Sequence, residues 1–284
     1  MIAFLGTGLL GGNFVRAFRR RNEDVHVWNR SPDKARALEA VGAKAFDNPA
    51  DAVRGATRVH ITVSDDAAVD ALLDQARPGL DQGTIIVDHT TTAPAPTAAR
   101  IARWTGQGIP FQHAPVFMGP SNTLDGTGIM LASGNQALYE SLVPALQPMT
   151  GKLVYLGDDP ARAASFKLMG NLFIIALTGG LADVFALARA LGIAEADAAE
   201  MFNWFNPGTA APWRAGRMHS GDLSQPTWTL DMARKDARLM IESAKANSAT
   251  LAVLPAIAAE MDRWIEAGHG QEDWMVIGRG STTG

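Results

Sequence analysis

Two kinds of hydrophobic pattern divide this chain. In its first half, short apolar runs alternate with stretches whose apolar positions recur every three or four residues. Ile2–Leu5, Val25–Trp28, Arg58–Val63, Thr84–Asp88, Phe111–Val116 and Gly128–Ala132 have the length and composition of buried strands. Between them, Phe14, Val15, Ala17 and Phe18, then Ala67 to Ala76, then Ala98, Ala99, Ile101 and Ala102, trace helices. This alternation predicts an α/β domain with a mostly parallel, doubly wound sheet and helices on both faces. Ligands of such sheets bind at the carboxyl ends of the strands. The segments after Leu5, Trp28, Val63, Asp88 and Val116 are therefore the ones to search.

The second half reads differently. Ala161 to Gly192 is mostly apolar, has no proline after Pro160 and stops at a glycine, which predicts one helix of about 30 residues. Ala194–Phe205, Ala211–Met218, Leu230–Ala246 and Leu251–Ala267 follow as helices, broken by Asn206-Pro207-Gly208 and by Gly221 to Pro226, with no strand signal. Trp204, Phe205, Trp213, Trp228 and Met240 are expected mostly in the core. The division expected is residues 1–160 as one domain and 161–284 as an all-α domain beginning with the long interdomain helix. Ile277 to Gly284 is expected to fray. One small helical domain cannot cover so apolar a helix. A second subunit is expected against it, with Gly179 and Gly180 permitting close approach.

Lys167 and Asn171, four apart, share a face of that helix. On a surface this apolar they must either snorkel to water or face a polar cavity.

Gly6-Thr7-Gly8-Leu9-Leu10-Gly11 joins the first strand to the first helix. Such a GxGxxG is a weak signal alone, but here a strand precedes it, an amphipathic helix follows, and a second strand comes at the right distance. Gly6 permits the tight turn, Gly8 lets backbone approach a pyrophosphate, and Gly11 lets the helix lie close to the sheet. The helix N-terminus offers free N–H groups to the phosphates. The second strand ends Asn29-Arg30-Ser31-Pro32, without the acid that usually holds a ribose 2′-hydroxyl. Arginine beside small polar residues suits a 2′-phosphate, so NADP is preferred over NAD. Ser31 before Pro32 also reads as a helix N-cap, and one residue can serve both ends. Asp65 and Asp66 read as caps. His89 and His113 read as structural, with no partner at triad or metal-ligand spacing.

Composition narrows the picture. The 284 residues, 47% hydrophobic and 19% charged, suit a globular chain long enough for two domains. A net charge of -4 gives no general attraction to nucleic acid or to an anionic membrane. The absence of cysteine excludes disulfides, cysteine-ligated zinc and thiol catalysis, and agrees with a reducing cytoplasm. The first residues lack the charged leader of a secretory signal. The run Leu168 to Ala182 is shorter than the roughly 18 residues a membrane span wants. A soluble, cytoplasmic protein without nucleic-acid or membrane partners is expected.

Taken in order, these segments resemble the β-hydroxyacid dehydrogenase family, which includes 3-hydroxyisobutyrate dehydrogenases, tartronate semialdehyde reductases and glyoxylate or succinic semialdehyde reductases. Gly6–Gly11 matches its nucleotide motif, and Ser64-Asp65-Asp66-Ala67-Ala68-Val69 the loop after its fourth strand. Asp88-His89-Thr90-Thr91-Thr92-Ala93-Pro94 is similar to its Asp-x-Ser-Thr-x-x-Pro segment, and Ala114-Pro115-Val116 begins its substrate motif. Lys167-x-x-x-Asn171 matches its catalytic pair, and Lys235-Asp236 a pair on a later helix. The resemblance spans the chain. It implies a Rossmann-type domain, a long interdomain helix and an all-α C-terminal domain. It also implies NADP-dependent interconversion of a small aldehyde or ketone and its hydroxy compound. Lys167 would be the general acid and base, and Asn171 would hold the substrate or the lysine. Thr91 and the Val63-Ser64 backbone would line the nicotinamide ribose. Lys235 would approach the nicotinamide, with Trp228 and Asp236 near the substrate.

One departure matters. Where the family has Ser-Gly-Gly, whose hydroxyl and N–H groups receive the substrate carboxylate, this chain has Phe117-Met118-Gly119. The pocket should be smaller and greasier, which points to a less polar aldehyde, ketone or semialdehyde with its acid group shifted or missing. Two alternatives are an imine reductase or reductive aminase on the same scaffold, and a non-catalytic NADP-binding protein. Imine reductases typically lack the lysine, so Lys167 argues against the first, while Phe117-Met118 leaves it open. The joint presence of Lys167, Asn171 and Lys235 argues against the second. A homodimer or larger homo-oligomer is expected.

Overall fold

The computed structural model describes residues 1–280. The chain forms two compact units, Met1–Asn171 and Leu172–Gly284.

The first unit is built on six parallel strands, β1 (Ile2–Leu5), β2 (Val25–Trp28), β3 (Lys44–Ala45), β4 (Arg58–Ile61), β5 (Ile85–Asp88) and β6 (Phe111–His113), ordered β3-β2-β1-β4-β5-β6. The order reverses between β1 and β4, which places the ligand crevice beyond their carboxyl ends. Register aligns those ends: Leu5 lies opposite both Trp28 and Ile61, and Asp88 opposite both Ile61 and His113. Helices α1 (Leu9–Arg20), α2 (Pro32–Arg36), α3 (Pro49–Val53), α4 (Asp66–Ala76) and α5 (Pro94–Thr105) connect the strands. Both faces of the sheet are covered, so alternate residues of one strand enter different cores. Phe4 packs with Phe14, Phe18 and Val87, while Leu5 packs with Ile61, Leu73 and Trp104.

The apolar run Phe111–Val116, expected as one strand, is two. Strand β6 ends at His113, and β7 (Val116–Phe117) opens a second sheet with β8 (Ile129–Ala132) and β9 (Lys152–Tyr155). Pro115, with no N–H to donate, sits where the chain changes sheets. The polar loop expected after it contains α6 (Pro120–Asp125), and α7 (Gln136–Leu146) follows β8.

Helix α8 (Arg162–Ala190) has 29 residues. Ser133 Oγ accepts the Ala163 N–H at its start, and Gly192 at φ +70° ends it as the Ile193 N–H returns to the Ala188 carbonyl. By length and composition alone this helix could cross a membrane. Its uncharged stretch, between Lys167 and Asp183, rises roughly 24 Å, short of a hydrocarbon core about 30 Å thick. Leu172, Phe173, Ile174 and Ile175 are 53–71% exposed. Four consecutive residues point in four directions, so the helix is apolar all round rather than on one stripe.

In the second unit α9 (Glu195–Trp204), α10 (Ala211–Ser220), α11 (Leu230–Ala246) and α12 (Leu254–Trp264) follow. The core is made by Leu223, Leu230, Ala233, Ala237, Ala258, Met261, Met275 and Val276. The large residues expected there are outside it: Trp204 is 76% exposed, and Phe205, Trp213, Trp228 and Met240 are exposed as well. Asp183 on α8 accepts the N–H groups of Ala252, Val253 and Leu254 at 2.6, 2.9 and 2.8 Å, capping α12 from outside its own sequence. Fraying does not begin at Ile277, because Trp274–Gly278 forms a 3-10 turn with Val276 buried. The rest of the tail expected to fray, residues 281–284, lies outside the described residues.

Candidate active site

The glycine loop frames a cleft of about 510 Å³ lined by Gly8, Leu9, Asn29, Arg30, Val63 and Ser64, among others. Gly6 has φ +93°, and a Cβ there would lie 2.1 Å from the Thr62 carbonyl oxygen. A Cβ on Gly11 would lie 2.0 Å from the Gly6 oxygen, whereas one on Gly8 would meet nothing within 4 Å. Gly6 and Gly11 are thus fixed by the protein's own packing, while Gly8 is bare toward open space. Helix α1 has no side-chain cap and no acid in its first turn. The N–H groups of its first turn are left for an anion. The buried hydroxyls of Thr7 and Thr62 have no partner among the described residues. Unclaimed donors around a bare glycine fit the phosphates of a dinucleotide. Leu9 and Leu10 sit on the first turn of α1, Leu9 at 81% exposure.

Asn29 stands where an acid would be and braces the loop. Its Oδ1 accepts the Thr7 N–H at 2.9 Å and its Nδ2 donates to the Ser31 carbonyl at 3.0 Å. Ser31 holds the N-cap position of α2, but its side chain makes no capping hydrogen bond, contrary to the sequence reading, so the hydroxyl stays free. Lys34 lines the same cleft. Its place, four residues after Arg30 and in the short helix α2, is not evident from the sequence pattern.

The loops after β4 and β5 are fastened together. Thr90 Oγ1 accepts the Val63 N–H at 3.1 Å, and the Thr90 N–H donates to Asp88 Oδ1 at 2.9 Å. Thr91, half-buried, is the next residue. Asp65 caps α4 by accepting the Ala68 N–H. Asp66 accepts from the Ala93 N–H and from Arg100, whose buried guanidinium also grips Asp70 through two nitrogens.

Below these loops His60 and His89 stack in the core, fully enclosed beside Phe4. The Ala114 carbonyl can only accept, so His89 Nδ1 carries the proton in their 2.7 Å hydrogen bond. His89 Nε2 is then the acceptor, and His60 Nδ1 donates to it at 3.0 Å. Burial pulls His89 down to about 4 and His60 well below the usual histidine value. His113 Nδ1 lies 3.6 Å from Asp88 Oδ2, with both side chains fully buried.

Lys167 Nζ donates to Asn171 Oδ1 at 2.9 Å and sits 4.6 Å from the centre of the Phe117 ring. Lys167 is 9% exposed, so the snorkelling alternative does not hold. Burial pulls its amine below the ordinary lysine value. The Gly119 N–H, one of the groups that could have received a carboxylate, donates to Asn122 Oδ1 at 2.8 Å, and Asn122 Nδ2 donates to Thr127 Oγ1. Met118 is half-buried against the core beneath. Lys235, Asp236 and Trp228 belong to the second unit. There Lys235 Nζ pairs with Asp236 Oδ1 at 2.7 Å, and Trp228 meets Trp274 edge-on at 5.7 Å between ring centres.

A reversed-order parallel sheet, a bare glycine loop at its crevice and uncapped helix N–H groups define a dinucleotide-binding protein. Residues 1–157 match the family described as the NAD binding domain of 6-phosphogluconate dehydrogenase, and the chain belongs to that family. It is β-hydroxyacid dehydrogenase-like and an NAD(P)-dependent oxidoreductase. The 3-sulfolactaldehyde reductase of Escherichia coli (strain K12) is 27% identical over 97% of this chain and 94% of that protein. Glyoxylate/succinic semialdehyde reductase 1 of Arabidopsis thaliana is 25% identical over 97% of this chain and 96% of its own. The imine reductase from Myxococcus stipitatus, solved in complex with NADP+, shares the fold with a TM-score of 0.92 at 22% identity, covering 98% of this chain and 99% of that one.

Proposed function

We propose that this protein reduces an uncharged aldehyde or ketone to the alcohol with NADPH, and runs the reverse oxidation. The observation that carries the reading is the enclosed Lys167 amine held on Asn171. The bound nicotinamide supplies the hydride for the carbonyl carbon. Lys167 gives a proton from Nζ to the carbonyl oxygen, Asn171 keeps the amine aimed, and solvent restores the proton afterwards. Gly6 to Gly11 hold the pyrophosphate. Asn29, Arg30 and Ser31, with Lys34, favour the 2′-phosphate of NADP over the bare ribose of NAD. Val63, Ser64 and Thr91 line the nicotinamide ribose. Residues 1–160 serve as the cofactor domain and 161–284 as the substrate and dimerisation domain.

Two observations support an uncharged substrate. Phe117 occupies the place of the serine hydroxyl, and the Gly119 N–H is spent on Asn122. Two of the proteins named above, the 3-sulfolactaldehyde reductase and the glyoxylate/succinic semialdehyde reductase, are named for carbonyl substrates that also carry an anionic group. Here the receiver for that group is closed. The same closure suits an imine, so the test includes one. The all-round apolar α8 is enclosed in a homodimer or larger homo-oligomer in the cytoplasm; a monomer by light scattering at micromolar concentration removes this part of the reading.

NADPH oxidation across neutral aldehydes and ketones, short ketoacids and cyclic imines, run beside Lys167→Ala, tests the rest. Neutral carbonyls should lead, and the variant should bind NADPH but lose roughly two or more decades of rate. An unchanged rate removes Lys167 from the chemistry. A lead for imines assigns the alternative activity.

A further inference from the structure

The Lys167 amine has a neutral hydrogen-bond partner, Asn171, and an aromatic one, Phe117. Among the described residues no carboxylate pairs with it, and its pKa is lowered by burial. Burial disfavours the charged amine, which is the form that carries the proton the proposed reaction needs. Phe117 works the other way. The face of an aromatic ring is electronegative and attracts a cation placed over it, most strongly where water is excluded.

The ring's position is set by a third residue. A Cβ on Gly170 would lie 2.3 and 2.4 Å from Cζ and Cε1 of Phe117, so the ring edge fills the space a side chain at 170 would take. Glycine inside a helix weakens the helix, and nothing else in α8 calls for one at this position. Gly170 is three residues from Lys167, on the same side of the helix. The notch therefore seats the ring directly against the amine.

We propose that Phe117 is a positioning residue for proton transfer: its ring face, seated in the notch at Gly170, holds the Lys167 amine in its charged, proton-bearing form. This rests on Lys167 being the proton donor. The same substitution that removes the serine hydroxyl thus supplies a new electrostatic partner for the lysine. Phe117 does two jobs, closing the acid receiver and keeping the general acid loaded.

The charge state of Lys167 can be read without activity. The chain has six lysines, so [13Cε]lysine NMR resolves them, and the Lys167 signal is identified by its loss in Lys167→Met. Fluorinated phenylalanines placed at 117 keep the ring's shape while draining its face of charge. The Lys167 pKa should fall stepwise with fluorination, by about 0.4–1.5 units at full loss of the attraction. Phe117→Leu should give a similar fall. Gly170→Ala, which expels the ring, should do so as well. The pH above which carbonyl reduction declines should move down by the same amount. A Lys167 titration unmoved by fluorination and by Phe117→Leu overturns the proposal and makes the ring a space filler. A shifted titration with an unshifted rate profile leaves the ring–amine pair standing but removes it, and Lys167, from proton transfer. That failure belongs to the reading of Lys167 rather than to the pair.

Discussion

Asn122 Oδ1 accepts the backbone N–H of Gly119 at 2.8 Å, which on the proposed reading closes a site that would otherwise face a substrate anion. Asn122→Ala should reopen it. A charged acceptor on a freed amide is worth about 1.5–3 kcal/mol, so kcat/KM for short ketoacids should rise roughly 10- to 100-fold, with neutral ketones nearly unaffected. Steady-state kinetics on matched pairs, a ketone and its carboxylated homologue, checks this. Equal change for both members of a pair would show that the amide does not face the substrate.

Arg30 and Lys34 line the cleft beside the free hydroxyl of Ser31. Arg30→Ala with Lys34→Ala should raise the Kd for NADPH by about 10- to 100-fold, the worth of one or two charge-assisted hydrogen bonds. The Kd for NADH should change little. Fluorescence titration with the two cofactors measures both, and parallel losses would assign the cations to some feature the cofactors share.

His60 and His89 make stability depend on acid. Both have folded pKa values depressed by burial, His89 to about 4. A histidine depressed in the fold binds its proton more readily when unfolded. Its contribution is therefore present above the unfolded value near 6.5 and is lost as pH falls toward the folded value. Tm should be flat above about pH 7 and decline between about 6.5 and 4. His89→Phe, which keeps the ring and removes the titration, should flatten that decline even if it lowers Tm overall. Differential scanning fluorimetry across pH gives both curves, and an equally steep decline in the variant would assign it to carboxylates elsewhere.

Asp183 serves three amide donors at the start of α12. Asp183→Ala leaves all three bare and should cost about 2–4 kcal/mol in urea unfolding, more than an ordinary cap. Asp183→Asn keeps one acceptor oxygen and should fall between. If Asn matched wild type, the negative charge at the helix start would contribute nothing.

What the sequence made legible was local. The glycine loop, the first two strands, the cap at Asp65 and the pairing of Lys167 with Asn171 depend on residues within one or two turns of each other, and periodicity reports them. The break in Phe111–Val116 was not legible, because an apolar run does not say which sheet it joins. Contacts across distance were hidden as well. Nothing near Phe117 announces Gly170, and the value of Asn122 appears only once α6 folds its amide back onto Gly119. Trp204 and Trp213 misled for a related reason. Hydrophobicity says that a side chain should be covered, but not that its own unit covers it.

The fit of Phe117 into Gly170 also fixes an order of events in any change of this pocket. A side chain cannot be added at 170 while the ring is there, since its first carbon would strike the ring edge. Shrinking residue 117 first leaves a hole that a later alanine at 170 could fill, with gain to the helix. Ancestry and laboratory evolution should travel this path in one direction far more easily than the other. Lineages that regain a small polar residue at 117 would then be the ones in which 170 becomes free to vary.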